Sequence, residues 1–190
     1  MSRFHLKSLL FVAAILLTIA LPSCRTSKPA QRESLIFSDR FDEQKNQTIL
    51  SIVPYGNFIL PGNWSKTSYN EVSHQHFFHQ SEEKTNVAIA KTRPNGYPFY
   101  KSGMSDSSYL HTFYQWEADY LRTQNLTVEM VDDRTAEGYL IWRVFNEAGD
   151  YNTLFLFGIK NGFSYNLSSD SATRTEPERQ VFIVDLFRRS

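Results

Sequence analysis

The stretch TLFLFGIKNGFSYNL, residues 153–167, decides the fold. Its first half, Thr153 to Ile159, is apolar on both sides of an extended chain. Successive side chains of a strand point to opposite faces. A strand apolar on both must therefore sit inside a sheet covered above and below. Lys160-Asn161-Gly162 follows, and Asn-Gly between apolar runs is the strongest short hairpin signal. The second half alternates, with Phe163, Tyr165 and Leu167 against Ser164 and Asn166. The stretch predicts a central antiparallel hairpin with one layer packed on each side.

The neighbouring segments extend that sheet. EGYLIWRVF places Leu140, Trp142 and Val144 on one face and Tyr139, Ile141, Arg143 and Phe145 on the other. LTVEMV alternates, with Leu126, Val128 and Met130 on one side. Upstream, Phe58-Ile59-Leu60 reads as a short strand ended by Pro61-Gly62. HQHFFHQ and NVAIAK read as two strands around the turn SEEKTN. Two segments have helical period. Asp106 to about Arg122 sets Leu110, Phe113, Trp116 or Glu117, Tyr120 and Leu121 at spacings of three and four, with Ser105 or Asp106 as cap. Thr175 to the end opens with Thr175-x-x-Glu178, a capping box, and Pro177 in the first turn. Val181, Phe182, Val184 or Asp185, and Leu186 form its expected apolar stripe.

The expected class is α+β: an antiparallel sheet of about six to seven strands flanked by helices. The order is three strands, a helix, four strands and a helix. An early strand ending in Pro61-Gly62-Asn63-Trp64 stands before the first hairpin. In this order and this Pro-x-x-Trp motif, residues 50–190 resemble the domain shared by PsbP, the extrinsic photosystem subunit, and the Ran-binding protein Mog. The resemblance implies an α/β/α sandwich and a non-enzymatic domain that binds a protein or supports an assembly. Bacterial proteins of this type are often lipoproteins.

The N-terminus has its own logic. Arg3 and Lys7 precede the apolar run Leu9–Leu21, which is followed by Leu21-Pro22-Ser23-Cys24. A membrane-crossing helix needs about 20 apolar residues. The run falls short of that and fits a secretory leader. Leu-Pro-Ser-Cys is similar to a bacterial lipobox, which makes Cys24, the only cysteine, the lipidation site. The expected organisation is a signal peptide over 1–23, an anchor and polar tether over 24–45, and a globular domain over 46–190. Arg25 stands where an aspartate would suggest inner-membrane retention, so the expected place is the outer membrane, facing the periplasm. Loss of the leader removes Arg3 and Lys7 and leaves 18 basic against 20 acidic side chains. That charge excludes a nucleic-acid partner on electrostatic grounds. The expected partners are the membrane, through Cys24, and another envelope protein.

Three of the five histidines lie in SHQHFFHQ, residues 73–80. In a strand His74 and His76 share a face and His79 takes the other. A catalytic zinc usually has three protein ligands, so the pair is a weak metal candidate and no metal or cofactor is expected. There is no Gly-x-Ser-x-Gly elbow, phosphate loop or EF-hand spacing. The acid pairs Glu117/Asp119 and Asp132/Asp133 single out no reaction, the latter reading as a solvated turn. The expectation is no enzyme, with a metal-dependent or glycan-active hydrolase as the alternative. The long loop Lys91–Asp106, with Tyr97, Phe99 and Tyr100 and joined by Trp64, is the candidate binding loop, since loop aromatics are typical anchors. Its aromatics can equally fold back over one end of the sheet.

Overall fold

A computed structural model describes residues 35–190, which form one compact unit. The expected leader, Cys24 and the first part of the expected tether lie outside the described residues. A seven-stranded antiparallel sheet is built from β4 (Ser65–Asn70), β5 (Gln75–Gln80), β6 (Thr85–Thr92), β7 (Thr127–Arg134), β8 (Tyr139–Phe145), β9 (Asn152–Lys160) and β10 (Phe163–Ser171). Their order across the sheet is β4-β5-β6-β10-β9-β8-β7. A smaller antiparallel meander, β1 (Ile36–Asp42), β2 (Gln47–Val53) and β3 (Gly56–Pro61), makes a second sheet. The helices are α1 (Asp106–Thr123) and α2 (Glu176–Arg189).

The central hairpin forms as expected. Lys160 pairs with Phe163, and Asn161 and Gly162 both take positive φ, at 53° and 76°. Only a turn of that hand matches the twist of the flanking strands. Neighbouring β9 residues carry the two outer layers. Phe157 stacks on Phe113 of α1 with ring centroids 3.8 Å apart and planes within 8°. Gly158, facing the other way, lies under the Phe187 ring of α2. A Cβ on Gly158 would stand 2.5 Å from that ring, closer than any real contact.

Two cores result. On one face Leu140, Trp142, Val144 and Phe157 pack against Tyr109, Leu110, Phe113, Tyr114 and Ala118 of α1. On the other, Tyr139, Ile141, Leu154, Leu156, Tyr165 and Leu167 meet Ile183, Leu186 and Phe187 of α2. Leu50, Ile52, Phe58 and Leu60 of the small sheet complete that second core. The sheet is covered on both faces, one of them shared by a helix and the meander. Ser105 caps α1, accepting from the Ser108 N–H at 3.2 Å. The Glu178 carboxylate closes the start of α2, taking the Thr175 N–H at 2.7 Å and the Thr175 hydroxyl at 2.8 Å.

Several expectations are corrected. Ile36–Asp42, assigned above to the tether, is a strand that pairs along β2 from Ile36↔Val53 to Asp42↔Gln47. The folded unit therefore begins at Leu35, ahead of residue 46. β2 and β4 add to the expected strands. Both helical stripes are rotated: Trp116, Tyr120 and Val181 are exposed, while Tyr109, Tyr114, Ile183 and Phe187 are buried. Asp132 and Asp133 lie in β7, where Asp133 sits 2.7 Å from His111 of α1. The two edge strands, β4 and β7, each carry a register shift, at Lys66/Ser68 and at Met130/Asp132.

Gly158→Ala is expected to destabilise the protein by about 1–3 kcal/mol, the usual cost of forcing atoms into a packed core. The Phe187 ring is the obstacle, so Phe187→Leu should cost less in the Gly158→Ala background than alone. Urea unfolding of the four proteins of that cycle measures the coupling.

Candidate functional site

The structure separates the residues of the expected binding loop. Trp64 is 3% exposed. Its indole stacks on Phe182 at 5.6 Å and donates from Nε1 to the Pro61 carbonyl at 2.8 Å. It belongs to the core on the α2 face. Tyr97, Phe99 and Tyr100 pack against the α1 core on the opposite face. They are half-buried, with Tyr97 4.5 Å from Phe113 and Phe99 5.4 Å from Tyr109 between ring centroids. The proposed grouping of Trp64 with the three loop aromatics is thus corrected. The loop folds back because α1 offers it a wall of aromatic rings whose burial is worth more than exposure.

That folding produces a different surface. Trp116 and Tyr120 lie four residues apart, on one side of α1, and are 43% and 62% exposed. Trp116 rests on Phe99 at 5.6 Å and on Tyr97 at 6.3 Å. Trp116 and Tyr120 form an aromatic ledge on α1, and Tyr97 and Phe99 of the packed loop hold Trp116 from beneath. The periodicity of α1 pointed at Trp116 and Tyr120 but assigned them to the core. The pairs Tyr109/Phe113 and Leu110/Tyr114 satisfy the same spacing, and only packing decides between the two stripes. Beside the ledge, burial pushes the Glu117 carboxyl above the usual carboxylate range. Burial also pushes up the neighbouring Tyr97 hydroxyl. Asp119, its partner in the expected acid pair, points to solvent and binds Arg122 at 3.0 Å.

The histidine cluster is not a row on one strand. His74 lies in the turn before β5 with φ of 55°, and its Nδ1 is 3.0 Å from the Tyr69 hydroxyl. His79 Nδ1 sits 2.8 Å from the Asn86 side-chain oxygen. His76 is 2% exposed, wedged between Phe37 of β1 at 4.7 Å and Tyr69 of β4 at 4.6 Å. No group of three or more histidine, cysteine or acidic side chains among the described residues is placed to hold a metal. His76 instead joins the two sheets. Burial, with Lys66 second, holds its pKa down to about 4, against the opposing pull of Asp39.

No family model and no curated protein matches the chain. Among solved structures it is similar to the solution structure of cyanobacterial PsbP (CyanoP) from Synechocystis sp. PCC 6803. The two are 13% identical, the match covers 80% of this chain and 87% of that one, and the TM-score is 0.44. Nothing about activity follows from a likeness of that degree.

Two outcomes follow from this geometry. The unfolded chain protonates His76 near the ordinary value of about 6.5, whereas the folded chain resists until about 4. Stability is therefore complete above the higher value and falls as pH drops through that window, by about 3 kcal/mol from this residue. His76→Phe should flatten the dependence of the urea midpoint on pH; a wild-type midpoint already flat there would show that His76 titrates normally. Phe99→Ser should lower the melting temperature by several degrees, about 1–3 kcal/mol of lost packing. Trp116→Ser with Tyr120→Ser should leave it almost unchanged, which thermal denaturation measures directly.

Proposed function

We propose that this chain is a bacterial lipoprotein anchored through Cys24, and that its domain acts by binding another envelope protein, not by catalysis. The anchor is supported by the leader, Arg3 and Lys7 followed by Leu9–Leu21, ending directly at Leu21-Pro22-Ser23-Cys24. One acyl chain binds membranes marginally, and stable anchoring takes a second. The lipobox resemblance implies that these are added at Cys24. The proposed place is the outer membrane, facing the periplasm.

The observation that carries the binding role is the ledge. Trp116 and Tyr120 are large, exposed and fixed on a helix. The underside of Trp116 is already packed by Tyr97 and Phe99. A partner meeting this surface would order few side chains, so little of the contact energy would be lost to entropy. Tryptophan and tyrosine dominate the energetics of protein interfaces.

Crosslinking and affinity capture of the lipidated protein from its own membranes test the proposal. A partner captured by the wild type is expected to be lost with Trp116→Ser/Tyr120→Ser, a change that should leave folding intact. Capture that survives this change removes the ledge from the interface. Cys24→Ser should abolish lipid labelling and leave the precursor uncleaved; labelling that persists would put the anchor elsewhere.

A further inference from the structure

Lys91 of β6 is 7% exposed, and among the described residues its ammonium finds no hydrogen-bond acceptor and no ion pair. Its contacts are the faces of two rings, Phe163 at 5.1 Å and Tyr165 at 4.9 Å. Its Nζ lies under the β2–β3 turn, 3.8 Å from where a Cβ on Gly56 would stand. Tyr55 of the same turn packs on Phe163 at 4.9 Å. A second ammonium, Lys160, stands over the same Tyr165 ring at 5.6 Å. Lys160 donates to the carbonyls of Phe187 and Arg188 at 2.8 and 3.2 Å, closing the C-terminal end of α2. Among the described residues no carboxylate pairs with either lysine.

A charge withdrawn from water needs a partner, and the faces of aromatic rings offset only part of the lost hydration. Two like charges over one ring raise that cost. Burial pushes the Lys91 ammonium toward its neutral form, and Lys160 is pushed the same way by burial and, less, by Lys91, against the opposing pull of Tyr165. The arrangement is short of one negative charge with several acceptor oxygens. A tetrahedral oxyanion supplies both: an ammonium needs no planar geometry and serves phosphate as a point charge.

We propose that Lys91 and Lys160, beneath the Tyr55-Gly56 turn and over Tyr165, form a binding site for a phosphate-class oxyanion. Two sources have that chemistry, free phosphate and the headgroup of an anionic phospholipid. The site lies at the end of the domain where β1 begins, since Ile36 pairs with Val53 just before this turn. The headgroup source therefore rests on the membrane reading above, whereas the oxyanion itself does not.

The test uses the full-length protein in neutral detergent. Reductive methylation of Lys91 is followed by mass spectrometry, with the exposed Lys101 as internal standard. Inorganic phosphate, glycerophosphoglycerol and chloride are compared at equal ionic strength. An occupied site protects its lysine in proportion to occupancy, so phosphate or the soluble headgroup should slow Lys91 roughly tenfold at about ten times its dissociation constant. Lys101 should not respond. Protection by phosphate alone assigns the free ion, and protection by glycerophosphoglycerol alone assigns the headgroup. Lys160→Met should weaken the protection, and Lys91→Met should abolish any phosphate-dependent rise in melting temperature. The proposal is overturned if chloride protects as well as phosphate, if neither probe protects, or if Lys160→Met leaves protection unchanged. Loss of membrane capture in the ledge variant, with Lys91 still protected by phosphate, would separate a failed partner surface from a working oxyanion site.

Discussion

The structure depends on one peptide unit of β9, where Phe157 and Gly158 serve opposite layers. Phe157 gives α1 a ring to stack on, and Gly158 gives the Phe187 ring of α2 a place to lie. A strand can do this only if its neighbours satisfy its backbone on both edges, which β8 and β10 do. Fully burying one large apolar side chain contributes about 1.5–3 kcal/mol. The two aromatic contacts therefore matter on the scale of the whole stability of a domain. A helix on one face, and a helix with a meander on the other, are held in place through adjacent residues of a single strand.

That strand was also the most legible part of the sequence. Apolarity on both faces and an Asn-Gly turn leave few alternatives, and the two faces of Tyr139–Phe145 divide between the cores as the alternation required. Legibility fades toward the edges. Ser65–Asn70 is a polar edge strand with a bulge, so it shows no clean alternation. Ile36–Asp42 mixes Asp39, Arg40 and Asp42 with Ile36, Phe37 and Phe41 without clean alternation, is exposed along almost its whole length, and becomes a strand only because β2 lies beside it. In α1, aromatic residues occur around most of the helix, so spacing alone permits two stripes. Packing against Trp142 and Phe157 selects Tyr109, Phe113 and Tyr114.

The same limit governs the candidate sites. Tyr97, Phe99 and Tyr100 were visible as aromatics in a loop, but whether such rings face water or a helix is a tertiary fact. Here Tyr97 and Phe99 support Trp116 and Tyr100 packs on Tyr109, so residues expected to touch a partner line the α1 core instead. His76 stood out in a histidine-rich run. Its place between β1 and β4 depends on Phe37 and Tyr69, which lie outside that run. Lys91 gave no signal at all. A lysine near the end of a strand is ordinary until its surroundings reveal that no acid answers it.

The register shifts in β4 and β7 have a consequence beyond the fold. An open seven-stranded sheet leaves two rows of unpaired backbone amides and carbonyls, and a flat row of that kind templates the addition of another chain. Each outermost strand here is kinked at its middle, and charged side chains stand along it: Lys66 on one edge, Glu129, Asp132, Asp133 and Arg134 on the other. A second copy arriving edge to edge would meet a bent ladder that cannot be extended in register. In a sheet so rich in β-forming aromatics, these shifts and charges work against polymerisation through the very hydrogen bonds that build it.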